Sequence, residues 1–133
     1  MKMLASLIEE IVRHAREEAP IEACGYVAGV GDETRRIFRL TNADASPEHF
    51  SFIPEEQFVA LKAARKEGLS LIGVYHSHPA TPARMSEEDI RLANDTEMRY
   101  LIYSVAEGVL RCFRVDEEKR VTEEPIEVTG GGA

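Results

Sequence analysis

The chain has no tryptophan and only two cysteines, Cys24 and Cys112, among 133 residues. Two cysteines without CxxC spacing exclude a disulfide framework, so they read as small buried thiols of a reducing compartment. Long apolar runs are missing too: none approaches the ~20 residues of a membrane span. The apolar stretch at the N-terminus meets Glu9 and Glu10 too early to form the core of a signal peptide. These absences lead to the expectation of a cytoplasmic protein with no membrane role. Positive charge is scarce, with 16 Lys and Arg against 24 Asp and Glu and a formal net charge of -8. No basic patch stands out, which argues against nucleic acid and leaves basic or neutral proteins as partners.

What is present is an ordinary globular composition, 44% hydrophobic and 30% charged, in a length that suits one domain with its own core. The expected division is a single domain over residues 1–128 and a flexible glycine-rich tail over 129–133. A homodimer is left open. Leu4, Leu7, Ile8, Ile11, Val12 and Ala15 recur at helical spacing, and Pro20 ends that helix. Ala23–Val30 reads as a buried strand, Gly31-Asp32 as a turn, and Arg35–Leu40 as the partner strand. A polar loop spans Asn42–Glu48, and the alternation of Phe50 and Phe52 suggests a short strand. Pro54 opens a second helix that Gly68 closes. Leu69–Tyr75 is nearly all apolar, as in a strand buried on both faces. A loop over Ala80–Met85 precedes a helix from Ser86 to about Asn94. Strands follow at Tyr100–Val105 and Val109–Val115, with a weaker edge strand over Val121–Val128. The order predicts an α/β fold with a central mixed sheet and helices packed around it.

The chemistry concentrates at the end of the apolar strand. His76 and His78 are two apart, so in an extended chain both imidazoles face the same side and can converge on one point. Ser86 and Asp89 are three apart at a helix start and share a face. The loop from Pro79 to Met85 can fold that helix back, making Asp89 a third ligand. Two histidines and a carboxylate leave an open tetrahedral position, the pattern of a catalytic zinc (Zn2+) rather than a structural one. A water there needs a base. Glu22 is the candidate, since the strand that follows it can lie beside the histidine strand; Glu18 and Glu33 are the alternatives. Ser86 can donate its hydroxyl to an oxyanion.

The string Gly73-Val-Tyr-His76-Ser77-His78-Pro79, followed by Ser86-Glu-Glu-Asp89, resembles the motif of the JAMM (MPN-plus) metalloproteases. That motif is an upstream glutamate, His-Ser/Thr-His, seven residues, Ser, two residues and Asp. Pro20-Ile-Glu22-Ala-Cys-Gly25 resembles the glutamate segment, and Asn42 with Ser46-Pro47 through Phe52-Ile-Pro54 is similar to the small prokaryotic members. The resemblance runs over roughly residues 1–125. It implies a single MPN domain, related in shape to cytidine deaminases, with zinc held by His76, His78 and Asp89. It also implies Glu22 as acid and base, and Ser86 as stabiliser of the intermediate. The implied substrate lies at the C-terminus of a ubiquitin-like or sulfur-carrier protein. At 133 residues the chain leaves no room for the insertions with which larger relatives grip a ubiquitin chain.

Plainer readings compete with each element. Ser86-x-x-Asp89 is also a helix capping box, and cap and ligand can coexist. His76 or His78 alone would more often be a hydrogen-bonded structural residue than a ligand, and His14 and His49 are read as non-ligands. Ser77 points away from its neighbours and suits a packing or hydrogen-bonding role behind the site. Cys24 reads as core, not nucleophile. Gly130–Gly132 resemble the end of a ubiquitin-like tail but suit an uncommitted terminus. At the level of function, the alternatives are a non-catalytic MPN-type interaction scaffold, which typically lacks some motif residues, and a deaminase, which needs His-x-Glu and Pro-Cys-x-x-Cys.

Overall fold

A computed structural model describes residues 1–130. The end of the expected glycine-rich tail, residues 131–133, lies outside the described residues, and Thr129 closes the last strand. In chain order the elements are β1 (Lys2–Leu4), α1 (Ala5–Glu18), β2 (Cys24–Val30), β3 (Glu33–Leu40), α2 (Pro54–Lys66), β4 (Ser70–His78), α3 (Glu87–Leu92), β5 (Arg99–Ser104), β6 (Val109–Val115), β7 (Val121–Glu124) and β8 (Glu127–Thr129). The strands form one eight-stranded mixed sheet in the order β7-β6-β5-β4-β2-β3-β1-β8.

The helices cover opposite faces of this sheet. On α1, Leu7, Ile8, Ile11, Val12 and Ala15 share one side and pack on Met3, Val27, Ile37, Tyr75, Leu101 and Tyr103. On the other face Ala60 and Ala64 of α2 pack against Cys24, Tyr26, Ala28, Phe38 and Leu40. Val27 thus serves one core while its neighbours Tyr26 and Ala28 serve the other, which is the two-residue period of a strand. Fully burying a side chain such as Leu101 or Val27 stabilises by about 1.5–3 kcal/mol each. Coverage on both faces explains the near-continuous apolar run into β4. Gly25 is required under Tyr75, because a Cβ there would collide with the Tyr75 ring and the Phe38 carbonyl.

Two expected strands come out differently. Phe50–Phe52 forms no strand; its alternation serves aromatic packing, with Phe52 against Tyr26 at 5.0 Å between ring centroids. The single edge strand expected over Val121–Val128 is broken at Pro125, which has no amide hydrogen for a ladder. Its first half, β7, pairs with β6. Its second half, β8, pairs in parallel with β1 on the opposite edge. The short N-terminal strand β1, unexpected from the sequence and ending at Leu4 where the helical spacing begins, makes that pairing possible. Only residues 125–126 separate β7 from β8, so the sheet curls until its two edges approach each other.

The site is positioned by β4. It runs antiparallel to β2 on one side and parallel to β5 on the other. A parallel neighbour requires a crossover, and residues 79–98, which contain α3, supply it. The crossover leaves from the C-terminal end of β4, the kind of location where α/β sheets bind ligands.

Candidate metal centre

His76 and His78 are the last alternate residues of β4, and the extended backbone aims both rings to one side. Their Nε2 atoms are 3.1 Å apart and the residues are 4% and 6% exposed. His78 Nδ1 faces the Pro82 carbonyl at 2.9 Å. A carbonyl only accepts, so Nδ1 carries the hydrogen and the neutral ring presents its Nε2 lone pair to His76. The Phe50 ring lies 4.7 Å from that of His76 and shields it from water.

Asp89 arrives from the crossover. Ser86 caps α3 with Oγ accepting from the Asp89 amide at 3.0 Å, while the Ser86 amide donates to Asp89 Oδ2 at 3.0 Å. The same Oδ2 lies 3.3 Å from His76 Nε2 and 3.1 Å from His78 Nε2. Capping box and ligand geometry are therefore one arrangement, since the cap fixes the carboxylate at the point where the imidazoles meet. Donors about 2.0–2.1 Å from a tetrahedral zinc would be roughly 3.3 Å apart, close to the three separations seen. Lone pairs crowded this closely repel unless a cation lies among them, and the N, N, O donor set suits a divalent ion of zinc's size. Burial alone would raise the Asp89 pKa, but the adjoining imidazoles of His76 and His78 and the Ser86 amide outweigh it and hold the carboxyl far below the ordinary range. Burial would lower the His78 pKa, yet Asp89, the Pro82 carbonyl and Glu22 raise it.

Glu22 lies ahead of β2, whose first residue Cys24 sits in register opposite His76. The adjacency expected of these strands is present. Ser77, facing away from the histidines, accepts from the Ala23 amide at 2.8 Å and donates its own amide to the Ala23 carbonyl at 3.0 Å. Glu22 is 3% exposed, and its Oε1 has no hydrogen-bond partner among the described residues. Its pKa is pushed up to about 8, first by burial; His78 opposes the rise and Asp89, Glu88 and Glu48 add to it. A buried, unpartnered carboxyl beside three converging donors marks where a polar ligand belongs.

The alternatives for the base lie elsewhere: Glu18 pairs with His14 at the end of α1, and Glu33 with Arg35 at the start of β3. His14 binds the Tyr75 hydroxyl at 2.7 Å, and His49 binds Asp44 at 3.0 Å. Burial pushes the Cys24 thiol up to about 12, which leaves it inert.

Local spacing does not announce the site's surroundings. A groove of ≈ 520 Å³ beside His76 and Asp89 is lined by Tyr26, Phe50 and Phe52 and by Met85, Leu92 and Met98. The paired phenylalanines were its one visible signal. Asn42 links the polar loop to the site: its Nδ2 donates to the carbonyls of Glu22 and His49 at 3.1 and 3.0 Å, and its Oδ1 accepts from the Asp44 amide at 3.0 Å.

The model of the family described as prokaryotic homologs of the JAB domain matches residues 4–116. The chain is 35% identical over 129 residues to the CysO-cysteine peptidase of Mycobacterium tuberculosis, with 93% of this chain and 88% of that protein covered. It is 40% identical over 116 residues to the probable TtuB-protein conjugate cleaving protease of Thermus thermophilus, covering 86% of this chain and 76% of that one. The solution structure of protein DSY2949 from Desulfitobacterium hafniense superposes with a TM-score of 0.87 at 44% identity, covering 96% of this chain and 92% of that one.

Proposed function

The chain belongs to the family of prokaryotic JAB-domain homologs, small JAMM (MPN-plus) peptidases of the MPN fold, and from that membership we propose a zinc-dependent hydrolase of the bond after a C-terminal glycine-rich tail. The tail is that of a ubiquitin-like or sulfur-carrier protein. One relative is named for a CysO–cysteine bond and another for TtuB–protein conjugates, so both a peptide and an isopeptide bond fall within this class. The observation that carries the reading is the meeting of His76, His78 and Asp89 within 3.1–3.3 Å beside the buried Glu22.

In this reading His76, His78 and Asp89 hold the metal. A zinc ion held there supplies a Lewis acid that polarises the scissile carbonyl and makes water easier to deprotonate. Glu22 takes one proton from the attacking water and returns it to the leaving amine as the carbon–nitrogen bond breaks. Burial raises its pKa above the ordinary carboxylate range, which suits a group that both takes up and returns a proton. Ser86 Oγ already accepts from the Asp89 amide, so its hydroxyl hydrogen stays free for the developing oxyanion. The Ser77–Ala23 pair holds the strand behind the base in register with the histidines. A tail of two glycines has no side chains to exclude from a narrow groove and can lie extended along the strand ends.

A non-catalytic scaffold would gain nothing from a buried, unpartnered carboxyl, which costs stability. A cytoplasmic setting is supported by two free, buried cysteines, and among the described residues no helix is long and apolar enough to cross a membrane.

The test is to incubate zinc-loaded protein with ubiquitin-like proteins of the host that carry a C-terminal extension, and to follow intact mass. A product ending at the last glycine, lost on chelation and restored by zinc, is expected. Protein that takes up no zinc and leaves every extension uncut would overturn the proposal.

A further inference from the structure

The third ligand sits on a poorly supported helix. α3 has only six residues, and none of them is buried. Helices shorter than ~12–15 residues do not hold themselves in water, and α3 has no apolar face in the core to compensate. Its two ends must be held from outside. The capping box holds the first turn.

The last turn is held by Lys119. Its Nζ donates to the Ala93 carbonyl at 2.7 Å, to Asn94 Oδ1 at 2.9 Å and to the Arg91 carbonyl at 3.2 Å. The two carbonyls are groups that a helix C-terminus leaves without intrahelical partners, and an ammonium also meets the negative end of the helix dipole. Lys119 belongs to the turn between β6 and β7. That turn is closed by the Lys119 amide to the Asp116 carbonyl at 3.0 Å and by the Arg120 amide to Asp116 Oδ1 at 2.8 Å. A side chain anchored on the sheet thus ties down a segment 25 or more residues earlier in the chain.

We propose that Lys119 is a positioning residue for the metal centre, pinning the C-terminal end of α3 and through it holding Asp89 against His76 and His78. It touches neither metal nor substrate. The proposal rests on reading Asp89 as the third ligand. Leu92–Asp95, the wall of the groove that Lys119 also braces, would move with it.

Two variants separate the ammonium from the turn. Lys119 has a φ of 64°, in the left-handed region. Lys119→Gly removes the ammonium while relieving that backbone, whereas Lys119→Met removes it and keeps a side chain of similar length. Purified metal-free proteins are titrated with Co2+, read by its visible absorption, and with Zn2+ in competition with a chromophoric chelator. Loss of a group that orients a ligand directly costs ten- to a hundredfold in affinity; one helix removed, both variants are expected to bind about three- to tenfold more weakly. Their Co2+ spectra should also shift, and Lys119→Arg should recover most of the loss. Wild-type affinity in both variants overturns the proposal. So does a loss in Lys119→Met that is absent from Lys119→Gly, because that pattern belongs to the turn. A wild-type protein that binds neither ion overturns the metal reading itself and this inference with it.

Discussion

Ser77 and Ala23 exchange two hydrogen bonds, the Ala23 amide to Ser77 Oγ at 2.8 Å and the Ser77 amide to the Ala23 carbonyl at 3.0 Å. Ser77 is flanked by the two histidines and Ala23 follows Glu22, so this one pair sets Glu22 against His76 and His78 from behind. It also explains why a small hydroxyl residue suits the position between the histidines. Ser77 is 1% exposed, so its hydroxyl must find its partner within the protein, as it does in the Ala23 amide.

Ser77→Ala should therefore cost both stability and turnover. The Ala23 amide would be left buried without its acceptor, a loss of about 1–3 kcal/mol. Ser77→Thr keeps the hydroxyl and should retain most of both. Urea denaturation of the metal-free variants, alongside kcat of the zinc-loaded ones, checks this. An alanine variant as stable and as active as the parent would mean that the pair does not set the geometry.

Glu22 gives a pH dependence whose sign can be worked out. Its folded pKa is about 8, raised from an ordinary 4.5 mainly by burial. Between those values the folded state keeps a proton that the unfolded state has released. Stability of the metal-free protein should thus fall as pH rises from 4.5 to 8, by an amount on the order of a few kcal/mol. Glu22→Gln cannot ionise and lacks this component of the slope. It should be clearly more stable than the parent at pH 8, and the gap should narrow towards pH 5. Denaturant midpoints of both metal-free proteins at the two pH values decide the matter; parallel slopes would place Glu22 in a wetter setting than its 3% exposure indicates.

Much of this centre was legible because its parts are local. The two-residue period of a strand put His76 and His78 on one side, and the three-residue spacing of a helix start put Ser86 with Asp89. Apolar runs identified β2 and β4 as interior strands; that the two could lie side by side was an expectation, and the register of Cys24 opposite His76 bears it out. What stayed hidden depends on contacts between distant segments. Pro125 carries an obvious strand-breaking signal, but nothing near it says that Glu127–Thr129 crosses to β1. Phe50 and Phe52 alternate as strand residues do, yet they serve a groove wall. Lys119 is one more charged residue in an acidic turn until its ammonium is seen at the end of α3.

Ser86 caps α3 and in the proposed mechanism also stabilises an oxyanion, and one substitution separates the two. Glycine is nearly as good a helix N-cap as serine, costing only a few tenths of a kcal/mol. Ser86→Gly therefore keeps most of the cap and removes the hydroxyl. Zinc affinity and unfolding midpoint should stay near wild type, while kcat falls by about 10²–10³, the usual effect of losing one oxyanion donor. Equal losses in metal affinity and kcat would show that the serine matters only as a cap for Asp89.

Asn42 offers a last separation, between the proposed base and the proposed metal site. Its amide donates to the carbonyls of Glu22 and His49 and, at 3.4 Å, to that of Ser46, while the Glu22 amide donates to the Ser46 carbonyl at 2.9 Å. One side chain thus shapes the loop that fixes the backbone of Glu22, and none of the three metal donors lies on that loop. Asn42→Asp keeps the size and the acceptor oxygen but loses both amide hydrogens, so those carbonyls face a carboxylate instead of a donor. Turnover should fall about tenfold, the ~1.4 kcal/mol expected when a positioning hydrogen bond is lost, and zinc affinity should stay within about twofold, far short of the losses seen when groups orienting a ligand are removed. The loop also carries Phe50, which covers the His76 ring. If metal affinity drops as far as kcat does, the loop acts through that ring and not through Glu22. An unchanged kcat would remove Asn42 from the machinery altogether.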